Sequence, residues 1–582
     1  MALKIDTIRS LFPIIAPLVF FVLTPFFIAF HVYFPNSLNF SVSYLSIGLL
    51  YAPLAICAVL LLVFITLAMP PKAQKYFISI LTALGLLFWF QGHILNWDYG
   101  VLAGEPILWQ NHTTKLCIDI LVWITGLSCF IFGAKKIYSY IGFIAIVFLG
   151  LQSVSLAYTY VQTEDPPAFQ NYTLSNKNEM NFSSQKNAVL IVLDAFQSDL
   201  FQEIIKERPK FQDVFQGFTY FRNTTAQYSK TYGAIPALLT GQWYENKQPI
   251  QDFLSQAFEE SISTQLVEKG WSVQLYPLVP RIIGYSPEYA SNIHPKGEQK
   301  TPDISAVAQQ AGLLLDLTFF RISPQFVKPF WLNDYRGRFT QLFAVLETPS
   351  AQAQEPSASK PKYSHRIQRF ADQCSQKMRV DSEKPSFKYF HFQMPHAPFD
   401  LNEQLEHEDL PAGREGFKRH AVAGLVAVQR FLTELKGHSL YDQTMVIVAG
   451  DHGGGEYEPG ILENTIQCSG QGSIPALHHA SGVPLLLIKP LNHSGKLKIT
   501  DLPASLGDVL PTVSQELDLQ ADYSGFDLFS MPEDTSRQRR YIFYEFNGWE
   551  PAYLPQMKEY EVSGHAWCPS SWKATGRVLS PP

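Results

Sequence analysis

Acidic and imidazole side chains follow two short apolar runs of the chain. Asp194 ends the run "AVLIVLD", and Asp451 and His452 follow the run "TMVIVAG". Carboxylate oxygens and an imidazole nitrogen are suitable ligands for one divalent metal ion, zinc or manganese. The carboxyl ends of parallel strands meet at the edge where open α/β sheets bind ligands. We therefore expect these residues to bind a metal; a helix cap at Asp194 and a plain turn at "DHG" are the simpler alternatives.

A third segment, Ser229–Gly241, has the sequence "SKTYGAIPALLTG" and places an alcohol at a predicted helix start. Backbone N–H groups and the helix dipole favour developing negative charge at such a position. Coordination to a metal would lower the pKa of the Thr231 alcohol and make it a nucleophile near neutral pH. Thr231 is therefore a candidate nucleophile and metal ligand, with an ordinary helix N-cap as the alternative.

Further polar residues near these segments are candidates for substrate binding. Lys230 and Arg222 precede the nucleophile and could neutralise an anion, but surface Lys and Arg are common. His478 and His479, in "ALHHASGVPLLLIKP", stand just before another apolar run. One of them could contact substrate or a second metal, and a pair of loop histidines without such a role is an equally good interpretation.

Alternating apolar runs and helical stretches predict the elements that position these residues. They extend over residues 188–582 and indicate an α/β domain with a mostly parallel central sheet flanked by helices. The runs "AVLIVLD", "KYFHFQM", "TMVIVAGD" and "PLLLIKP" suit strands buried on both faces. Residues 162–187, rich in Asn, Ser, Gln and Pro, predict an exposed linker, and Thr348–Lys362 predicts a surface insertion.

The 582 residues carry 45 Lys+Arg against 51 Asp+Glu, and only 16% of them are charged. No basic stripe is present, so nucleic acid is not an expected partner. Charged residues are scarcest in residues 1–161. Five apolar segments of this region are each long enough to cross a membrane: Leu11–Pro35, Ser43–Met69, Tyr76–Leu95, Leu116–Ala134 and Ile137–Val161. We therefore predict an N-terminal bundle of five transmembrane α-helices, with Asp119 facing protein or the interface.

The positive residues between these segments predict an orientation. They alternate with the turns: Lys4 and Arg9, Lys72 and Lys75, Lys135 and Lys136. The positive-inside rule then makes the N-terminus cytoplasmic, and five crossings place the rest outside. We expect a multi-pass protein of a bacterial-type cytoplasmic (inner) membrane with a periplasmic or extracellular domain. Its external cysteines, Cys374, Cys468 and Cys568, allow at most one disulfide, and the pairing stays open.

The three chemical segments together resemble the alkaline phosphatase/sulfatase superfamily. There a strand-end acid, a nucleophile on a helix N-terminus and a later "DHG" bind one metal. The segment "HFQMPHAPF" looks like the superfamily's "H…PH.P" pattern, which implies that His396 binds the transferred group or protonates a leaving oxygen. His391 would be a strand residue facing the sheet. Ser505–Phe529 is similar to a segment near the end of these domains, where Asp508 is interpreted as structural.

The residue types also indicate a branch of this superfamily. Thr231 stands ten residues before Gly241, where sulfatases have a modified Cys or Ser. Gly233 and Ile235 replace the Pro and Arg of the sulfatase pattern, so a formylglycine is not expected. A threonine nucleophile is similar to lipoteichoic acid synthases and phosphoethanolamine transferases, which carry membrane helices before an external catalytic domain. Those enzymes generally have Glu at the position of Asp194. Sulfatases and phosphodiesterases have Asp there, as this chain does.

The resemblance implies a membrane-anchored phosphotransferase. A phosphoglycerol or phosphoethanolamine head group would move from a membrane phospholipid to an envelope glycan or lipid through a phospho-threonine intermediate. One divalent metal, zinc or manganese, would be bound by Asp194, Thr231, Asp451 and His452. The alternatives are a sulfatase-like or phosphodiesterase-like hydrolase of an envelope ester, and a catalytically inactive lipid-binding sensor. Retention of the acid, the alcohol and "DH" argues against the sensor.

Overall fold

The computed structural model describes residues 2–40, 42–99, 107, 109–163, 172–284, 286–295, 304–333, 336–345, 364–454, 468, 472–520, 523–545 and 552–582. The chain divides into two compact units. The first, called the helical unit, comprises Met1–Pro166 and Gly297–Ser359. The second, called the α/β unit, comprises Pro167–Lys296 and Lys360–Pro582.

The described elements are numbered in chain order. The helices are α1 (Ala2–Tyr33), α2 (Tyr44–Ala68), α3 (Pro71–His93), α4 (Thr113–Val161), α5 (Ser198–Glu207), α6 (Lys210–Val214), α7 (Thr231–Thr240), α8 (Ile250–Ala257), α9 (Ile262–Glu268), α10 (Ile304–Ile322), α11 (Lys328–Trp331), α12 (Arg338–Val345), α13 (Ser364–Lys377), α14 (Arg414–Gly437), α15 (Ala476–Ser481) and α16 (Val509–Glu516). The strands are β1 (Tyr172–Leu174), β2 (Asn181–Ser183), β3 (Asn187–Leu193), β4 (Thr219–Phe221), β5 (Thr224–Thr225), β6 (Ser272–Tyr276), β7 (Ile293–Pro295), β8 (Leu332–Asn333), β9 (Arg336–Gly337), β10 (Arg379–Ser382), β11 (Ser386–Phe392), β12 (Thr444–Ala449), β13 (Leu486–Lys489), β14 (Lys498–Thr500), β15 (Ala504–Ser505), β16 (Gln538–Phe543), β17 (Met557–Ser563) and β18 (Trp572–Leu579).

Four helices of the described chain are long and apolar enough to cross a membrane. Their apolar stretches are Leu11–Ser37, Tyr44–Ala68, Pro71–His93 and Thr113–Val161. They indicate a membrane protein, as the sequence predicts. Five separate helices are not found, because the fourth and fifth predicted segments both lie in α4. Lys135 and Lys136 lie between those segments, within the stretch that α4 comprises.

The two halves of α4 contact α3 in opposite directions. Trp123 packs 5.9 Å from Phe88 near the end of α3, whereas Lys75 near its start lies 5.3 Å from the ring of Tyr138. Trp89, the residue after Phe88, then packs 5.0 Å from Phe148. A straight helix would hold residues 123 and 148 about 37 Å apart, too far to reach adjacent residues of α3. The helical element α4 therefore turns back on itself between its two halves.

Residues 304–345 belong to the helical unit, although the sequence analysis includes them in the external domain. Tyr51 of α2 donates its hydroxyl to the carbonyl of Ala311 in α10 at 2.7 Å. Asp119 of α4 accepts a hydrogen bond from the backbone N–H of Gln325, which follows α10, at 2.7 Å. Asp119 is fully buried and so faces protein, as predicted. These contacts join residues 260 and 206 positions apart in sequence, so no local pattern reveals them.

A seven-stranded sheet forms the centre of the α/β unit, with the order β14-β4-β13-β12-β3-β11-β6. Of these seven strands, only β13 runs against its neighbours, which confirms a mixed, mostly parallel sheet. Every residue of β3, β11 and β12 is buried, because apolar clusters cover both faces. The register aligns Val192 of β3 with His391 of β11 and Ala449 of β12. The ends of three strands therefore lie side by side.

The predicted linker differs from the structure over residues 172–187. This stretch contributes β1, which pairs with β7, and β2, which pairs with β10. Phe182 of β2 is fully buried, and its ring packs this polar segment into the core, so residues 172–187 are part of the fold. Residues 164–171 and the predicted insertion Thr348–Lys362 lie outside the described residues.

Candidate metal and nucleophile site

Asp194 directly follows β3, and the backbone turns sharply after it. Ala195 has a φ of 62°, in the left-handed region that residues with a Cβ rarely adopt. Such strained backbone concentrates at functional sites. The Asp194 side chain is only 5% exposed. Burial raises the pKa of its carboxyl to about 8, and the neighbouring carboxylate of Asp451 acts in the same direction.

Asp451 lies beside Asp194 and has one satisfied and one unsatisfied oxygen. Its Oδ1 accepts the backbone N–H groups of Ala195 at 3.1 Å and of His452 at 3.0 Å. Its Oδ2 is buried and has no hydrogen-bond partner among the described residues. Burial acts to raise the pKa of this carboxyl, but the imidazoles of His452 and His391 outweigh it, and the pKa is lowered. Asp451 is therefore the anionic member of the carboxylate pair.

The ring of His452 faces both carboxylates. Its Nδ1 lies 2.8 Å from the carbonyl oxygen of Gly453, so Nδ1 carries the proton and Nε2 keeps its lone pair. Nε2 lies 3.5 Å from Asp194 Oδ1 and 3.7 Å from Asp451 Oδ2. The glycine is required, because a Cβ at Gly453 would lie 1.9 Å from the carbonyl oxygen of Ala480. The "DHG" tripeptide thus orients a nitrogen ligand towards two oxygen ligands.

His391 joins this group, which the sequence analysis did not anticipate. It is fully buried, and neither ring nitrogen has a hydrogen-bond partner among the described residues. Ligand atoms of Asp194, His391 and Asp451 all lie within 4.8 Å of one another. Burial lowers the pKa of His391 to about 4, so its ring is neutral near pH 7.

The strand period of two could have identified His391. It aligns with Val192, and Asp194 lies two residues after Val192 on the same face of the sheet. The interpretation of His391 as a sheet-facing strand residue is correct about its position. It misses that this face of the sheet meets the carboxylate pair.

The donor set fits a divalent metal. Asp194 Oδ1, Asp451 Oδ2 and both nitrogens of His391 are buried without partners in the described part of the chain. Buried polar atoms are almost always bonded, so a group of such acceptors is suited to bind a cation. Two carboxylates and an imidazole nitrogen are ligand types that divalent metals such as zinc and manganese accept.

Thr231 is the first residue of α7, and its hydroxyl faces the carboxylate pair. Its Oγ1 lies 3.3 Å from Nε2 of His452. The N–H of Gly233 donates to the hydroxyl of Tyr544, and that hydroxyl donates to the carbonyl of Lys230. The first of these bonds occupies the N–H of Gly233, and the helix dipole still favours negative charge beside Thr231.

His396 and Lys230 border the same group. The backbone N–H of His396 donates to the carbonyl of Asp194 at 3.2 Å, which fixes the loop against the strand end. Its Nδ1 lies 2.7 Å from the carbonyl oxygen of Ala397, so Nδ1 donates and Nε2 is the exchangeable position. Lys230 is close enough for its charge to lower the pKa of Asp194.

The other candidate substrate residues make contacts elsewhere. His478 stacks on Phe543 at 3.5 Å, and its Nδ1 lies 2.6 Å from the hydroxyl of Tyr560. Nε2 of His479 lies 2.8 Å from the carbonyl oxygen of Ala566. Both rings thus support the C-terminal region that follows α16. Arg222 forms a bidentate ion pair with Asp501, with both distances 2.6 Å.

Two further features of this region are structural. Asp508 accepts backbone N–H groups of Ser505 and Phe526 and pairs with Arg537. Cys468 forms a disulfide with Cys568, which resolves the pairing that the sequence left open. The remaining cysteine of the α/β unit, Cys374, is buried with a free thiol.

Comparisons with known proteins agree with this fold. Residues 283–519 match the family model described as Sulfatase. The match includes His391, His396, Asp451 and His452 and begins after Asp194 and Thr231. No curated protein matches the chain.

Solved structures of the superfamily are similar at low identity. Ps i-CgsB in complex with k-i-k-neocarrahexaose has 14% identity, covers 66% of this chain and 84% of its own, and gives a TM-score of 0.40. Phosphonate monoester hydrolase SpPMH from Silicibacter pomeroyi has 12% identity, with 66% and 87% covered and a TM-score of 0.38. The putative sulfatase yidJ from Bacteroides fragilis has 16% identity, with 65% and 86% covered and a TM-score of 0.35. Residues 283–519 of the chain therefore form a match to the Sulfatase family model.

Proposed function

We propose that the chain is a membrane-anchored, metal-dependent transferase that moves a phosphoglycerol or phosphoethanolamine head group from a phospholipid to a hydroxyl of an envelope glycan or lipid. The observation that carries this proposal is the position of the Thr231 hydroxyl. It lies at the N-terminus of α7, 3.3 Å from His452 Nε2 and beside two buried carboxylates, each of which has one oxygen without a partner among the described residues. An alcohol so placed is suited to become a covalent nucleophile.

Some residues of the site would bind the metal and the phosphate, and others would transfer protons. Asp194, Asp451, His452 and Thr231 would hold a divalent metal, with His391 adjoining them. When bound, that metal would lower the pKa of the Thr231 alcohol and neutralise phosphoryl oxygens. The positive end of the α7 dipole and the ammonium of Lys230 add to the stabilisation of negative charge.

The transfer proceeds in two balanced halves. Thr231 first releases its hydroxyl proton to solvent, and Oγ1 then forms a bond to phosphorus as the bond to the diacylglycerol oxygen breaks. His396, protonated on both ring nitrogens at the start, donates its Nε2 proton to that leaving oxygen. In the second half an acceptor hydroxyl gives its proton to His396 and attacks the phosphorus, and the bond to Thr231 breaks. The bond from His396 Nδ1 to the Ala397 carbonyl keeps Nε2 as the position that exchanges the proton.

A covalent adduct tests this mechanism directly. The purified full chain is incubated with phosphatidylglycerol or phosphatidylethanolamine, and the Thr231 peptide is analysed by mass spectrometry. We expect an adduct matching the head group supplied, and none in Thr231→Ala. Thr240→Ser, at the other end of the same helix, is the matched control and should form the adduct normally. Head-group transfer by Thr231→Ala at the wild-type rate would refute the role of Thr231.

Hydrolysis of an envelope ester is the second candidate function. It is favoured by the sulfatase family match and by Asp194, the residue type that sulfatases and phosphodiesterases have at this position. The two reactions differ in the acceptor of the second half. Release of free head group at the same rate with and without a glycan or lipid acceptor would establish the hydrolase.

The proposed setting is a bacterial-type cytoplasmic membrane, with the N-terminus inside and the α/β unit outside. Two observations support it besides the lysine pattern. The two halves of α4 contact α3 in opposite directions, as two separate crossings would. The Cys468–Cys568 disulfide belongs in an oxidising compartment.

Cysteine labelling tests this orientation. Ser530 in the α/β unit and Lys72 in the first turn of α3 are both exposed. Each is replaced by cysteine in a parent chain whose Cys57, Cys117 and Cys129 are serine. A membrane-impermeant maleimide added to whole cells should label Ser530→Cys, and should label Lys72→Cys only after permeabilisation. The reverse pattern would overturn the orientation.

A further inference from the structure

A second group of partnerless polar atoms lies in the helical unit, where α1, α3 and α10 meet. His31 of α1 and His93 of α3 have ring centroids 5.1 Å apart. The Nε2 atoms of both rings are buried and have no hydrogen-bond partner in the part of the chain that the structure describes. His31 as a whole is only 8% exposed. Two bare imidazole nitrogens among apolar helices point to a ligand, because such atoms otherwise find partners.

The bonds made by the Nδ1 atoms show what these rings offer. His93 Nδ1 lies 3.1 Å from the carbonyl oxygen of Trp89, so it carries the proton. His31 Nδ1 lies 3.0 Å from the hydroxyl of Thr159, which donates its own proton to the carbonyl of Ser155. His31 Nδ1 is then also a donor. In both neutral rings Nε2 is left as an acceptor, ready for an O–H or N–H donor.

Arg321 of α10 adds a positive charge to this group. Its Nε donates to the carbonyl of Gly92 at 2.7 Å, and its charge acts on both imidazoles. Gly92 permits the approach, since a Cβ there would lie 3.0 Å from Ile28 and 3.3 Å from Ile322. The terminal nitrogens of Arg321 have no acceptor, and no carboxylate pairs with it, among the described residues.

The nearby charges do not neutralise Arg321. Asp119 is occupied by Trp97, Gln91 and the backbone N–H of Gln325. Lys328, whose charge opposes that of Asp119, donates to the carbonyl of Phe320. The group formed by His31, His93 and Arg321, called the imidazole–guanidinium group, therefore presents one positive charge with free donors beside two bare acceptors.

We infer that the imidazole–guanidinium group binds the head group of a membrane phospholipid. The phosphodiester accepts hydrogen bonds from the terminal nitrogens of Arg321, and a hydroxyl or ammonium of the same head group donates to His31 and His93. Phosphatidylglycerol and phosphatidylethanolamine have both features, whereas phosphatidylcholine has no donor. A lipid source fits the setting, because Phe326 and Phe330 of the same unit are more than half exposed and suit contact with acyl chains. The inference rests on the proposed membrane location and not on the chemistry of Thr231.

Lipid binding to the full chain tests this site. The detergent-purified protein is titrated with phosphatidylethanolamine, phosphatidylglycerol, phosphatidylcholine and inorganic phosphate, and bound lipid is measured by native mass spectrometry. We expect the first two lipids to bind about tenfold more tightly than phosphatidylcholine, and inorganic phosphate to compete only weakly. Arg321→Gln should lower affinity for all three lipids by about tenfold. Arg338→Gln, an exposed arginine of the same unit, is the matched control and should bind as wild type does.

Two further variants separate binding from folding and from catalysis. The double variant His31→Phe, His93→Phe should retain phosphatidylcholine binding and lose the preference for lipids with a donor. Arg321→Lys keeps the charge and should recover part of the affinity if Arg321→Gln is destabilised. Thr231→Ala should bind lipid normally, so failure of transfer and failure of this site are distinguishable. Equal binding of phosphatidylcholine and phosphatidylethanolamine, or of inorganic phosphate and lipid, would overturn the inference.

Discussion

Among the described residues, both units contain buried polar atoms without hydrogen-bond partners, and the two groups differ in origin. In the α/β unit, Asp194, Asp451 and His391 come from three parallel strands in register, so the sheet itself brings them together. In the helical unit, His31, His93 and Arg321 come from three helices whose order in sequence says nothing about their contact.

The two groups also differ in what they lack. The strand-end group contains two carboxylates and neutral imidazole, so its missing partner is a cation. The imidazole–guanidinium group contains one positive charge and two acceptors, so its missing partner has an anion and a donor. Asp119 provides the contrast to both, because each of its oxygens has a donor. A buried polar side chain is thus structural where all its atoms have hydrogen-bond partners, and a candidate binding residue where one of them has none.

Asp451→Asn should give the largest effect, because it removes the open oxygen and keeps the shape. The side-chain oxygen can still accept from Ala195 and His452, but an amide NH₂ replaces Oδ2. We expect metal content to fall to background and turnover to fall by at least about 100-fold. The metal-free variant should be more stable than the metal-free wild type, since a buried carboxylate pair is relieved. Elemental analysis, turnover and thermal unfolding measure the three effects.

Asp508→Asn is the control for this substitution in the same unit. Asp508 is bonded to Arg537 and to backbone N–H groups, so its loss should lower stability and leave metal content unchanged. Wild-type metal content in Asp451→Asn would show that the carboxylate pair is not the metal site.

Asp119→Asn in the helical unit should lower stability, whereas Asp451→Asn should raise the stability of the metal-free protein. There the amide NH₂ must face either the indole N–H of Trp97 or the backbone N–H of Gln325, and the countercharge of Lys328 is lost. Hydrogen bonds to a charged group contribute about 1.5–3 kcal/mol each, so we expect the free energy of unfolding to fall by about 2–3 kcal/mol. Unfolding in detergent, followed by tryptophan fluorescence, measures this. A variant as stable as wild type would show that the bonds around Asp119 are not structural.

The contrast between the two units also explains what sequence reasoning could predict. Apolar runs ending in Asp194 and Asp451 predict strands and a shared sheet edge, because a parallel sheet follows from local patterns. The sequence predicts that His391 lies on a strand but does not predict its contact with Asp194 and Asp451. The alternation of side chains along a strand shows which residues share a face of the sheet, but not which residues cover that face. The helical residues His31 and Arg321 carry no local signal, because only packing over about 290 positions brings them together.

Three other outcomes have the same physical cause. Cys468 and Cys568 are 100 residues apart, so their pairing depends on the folded core. The turn within α4 is evident only from the contacts of its two halves with α3. The rings of His478 and His479 contact residues that follow α16, whose aromatics had no assigned role in the sequence.

Glu245→Gln should give the smallest effect, since it alters a polar group whose bonds are complete. Glu245 accepts hydrogen bonds from Arg540 at 3.0 Å and Arg577 at 2.9 Å and pairs with Lys247 at 2.7 Å. The hydrogen bond from Lys247 contributes most to lowering the pKa of Glu245 to about 2, with the arginines adding to it. Because the group is partly exposed and solvent screens it, we expect a loss of only about 0.5–1 kcal/mol in the free energy of unfolding at pH 7.

The pH dependence of that loss separates an ion-pair effect from a packing effect. A carboxyl with a pKa lowered in the folded state stabilises it above the unfolded pKa, and this contribution disappears as the pH falls towards the folded pKa. The difference between wild type and Glu245→Gln should therefore shrink from about pH 5 to about pH 2, measured by denaturant unfolding of both proteins in parallel. A difference that stays constant over this range would mean that Glu245 acts by packing. In that case the pH dependence of unfolding would not distinguish the bonded charges around Glu245 from the two groups that have unpartnered atoms. Metal binding and lipid binding would then be the measurements that distinguish them.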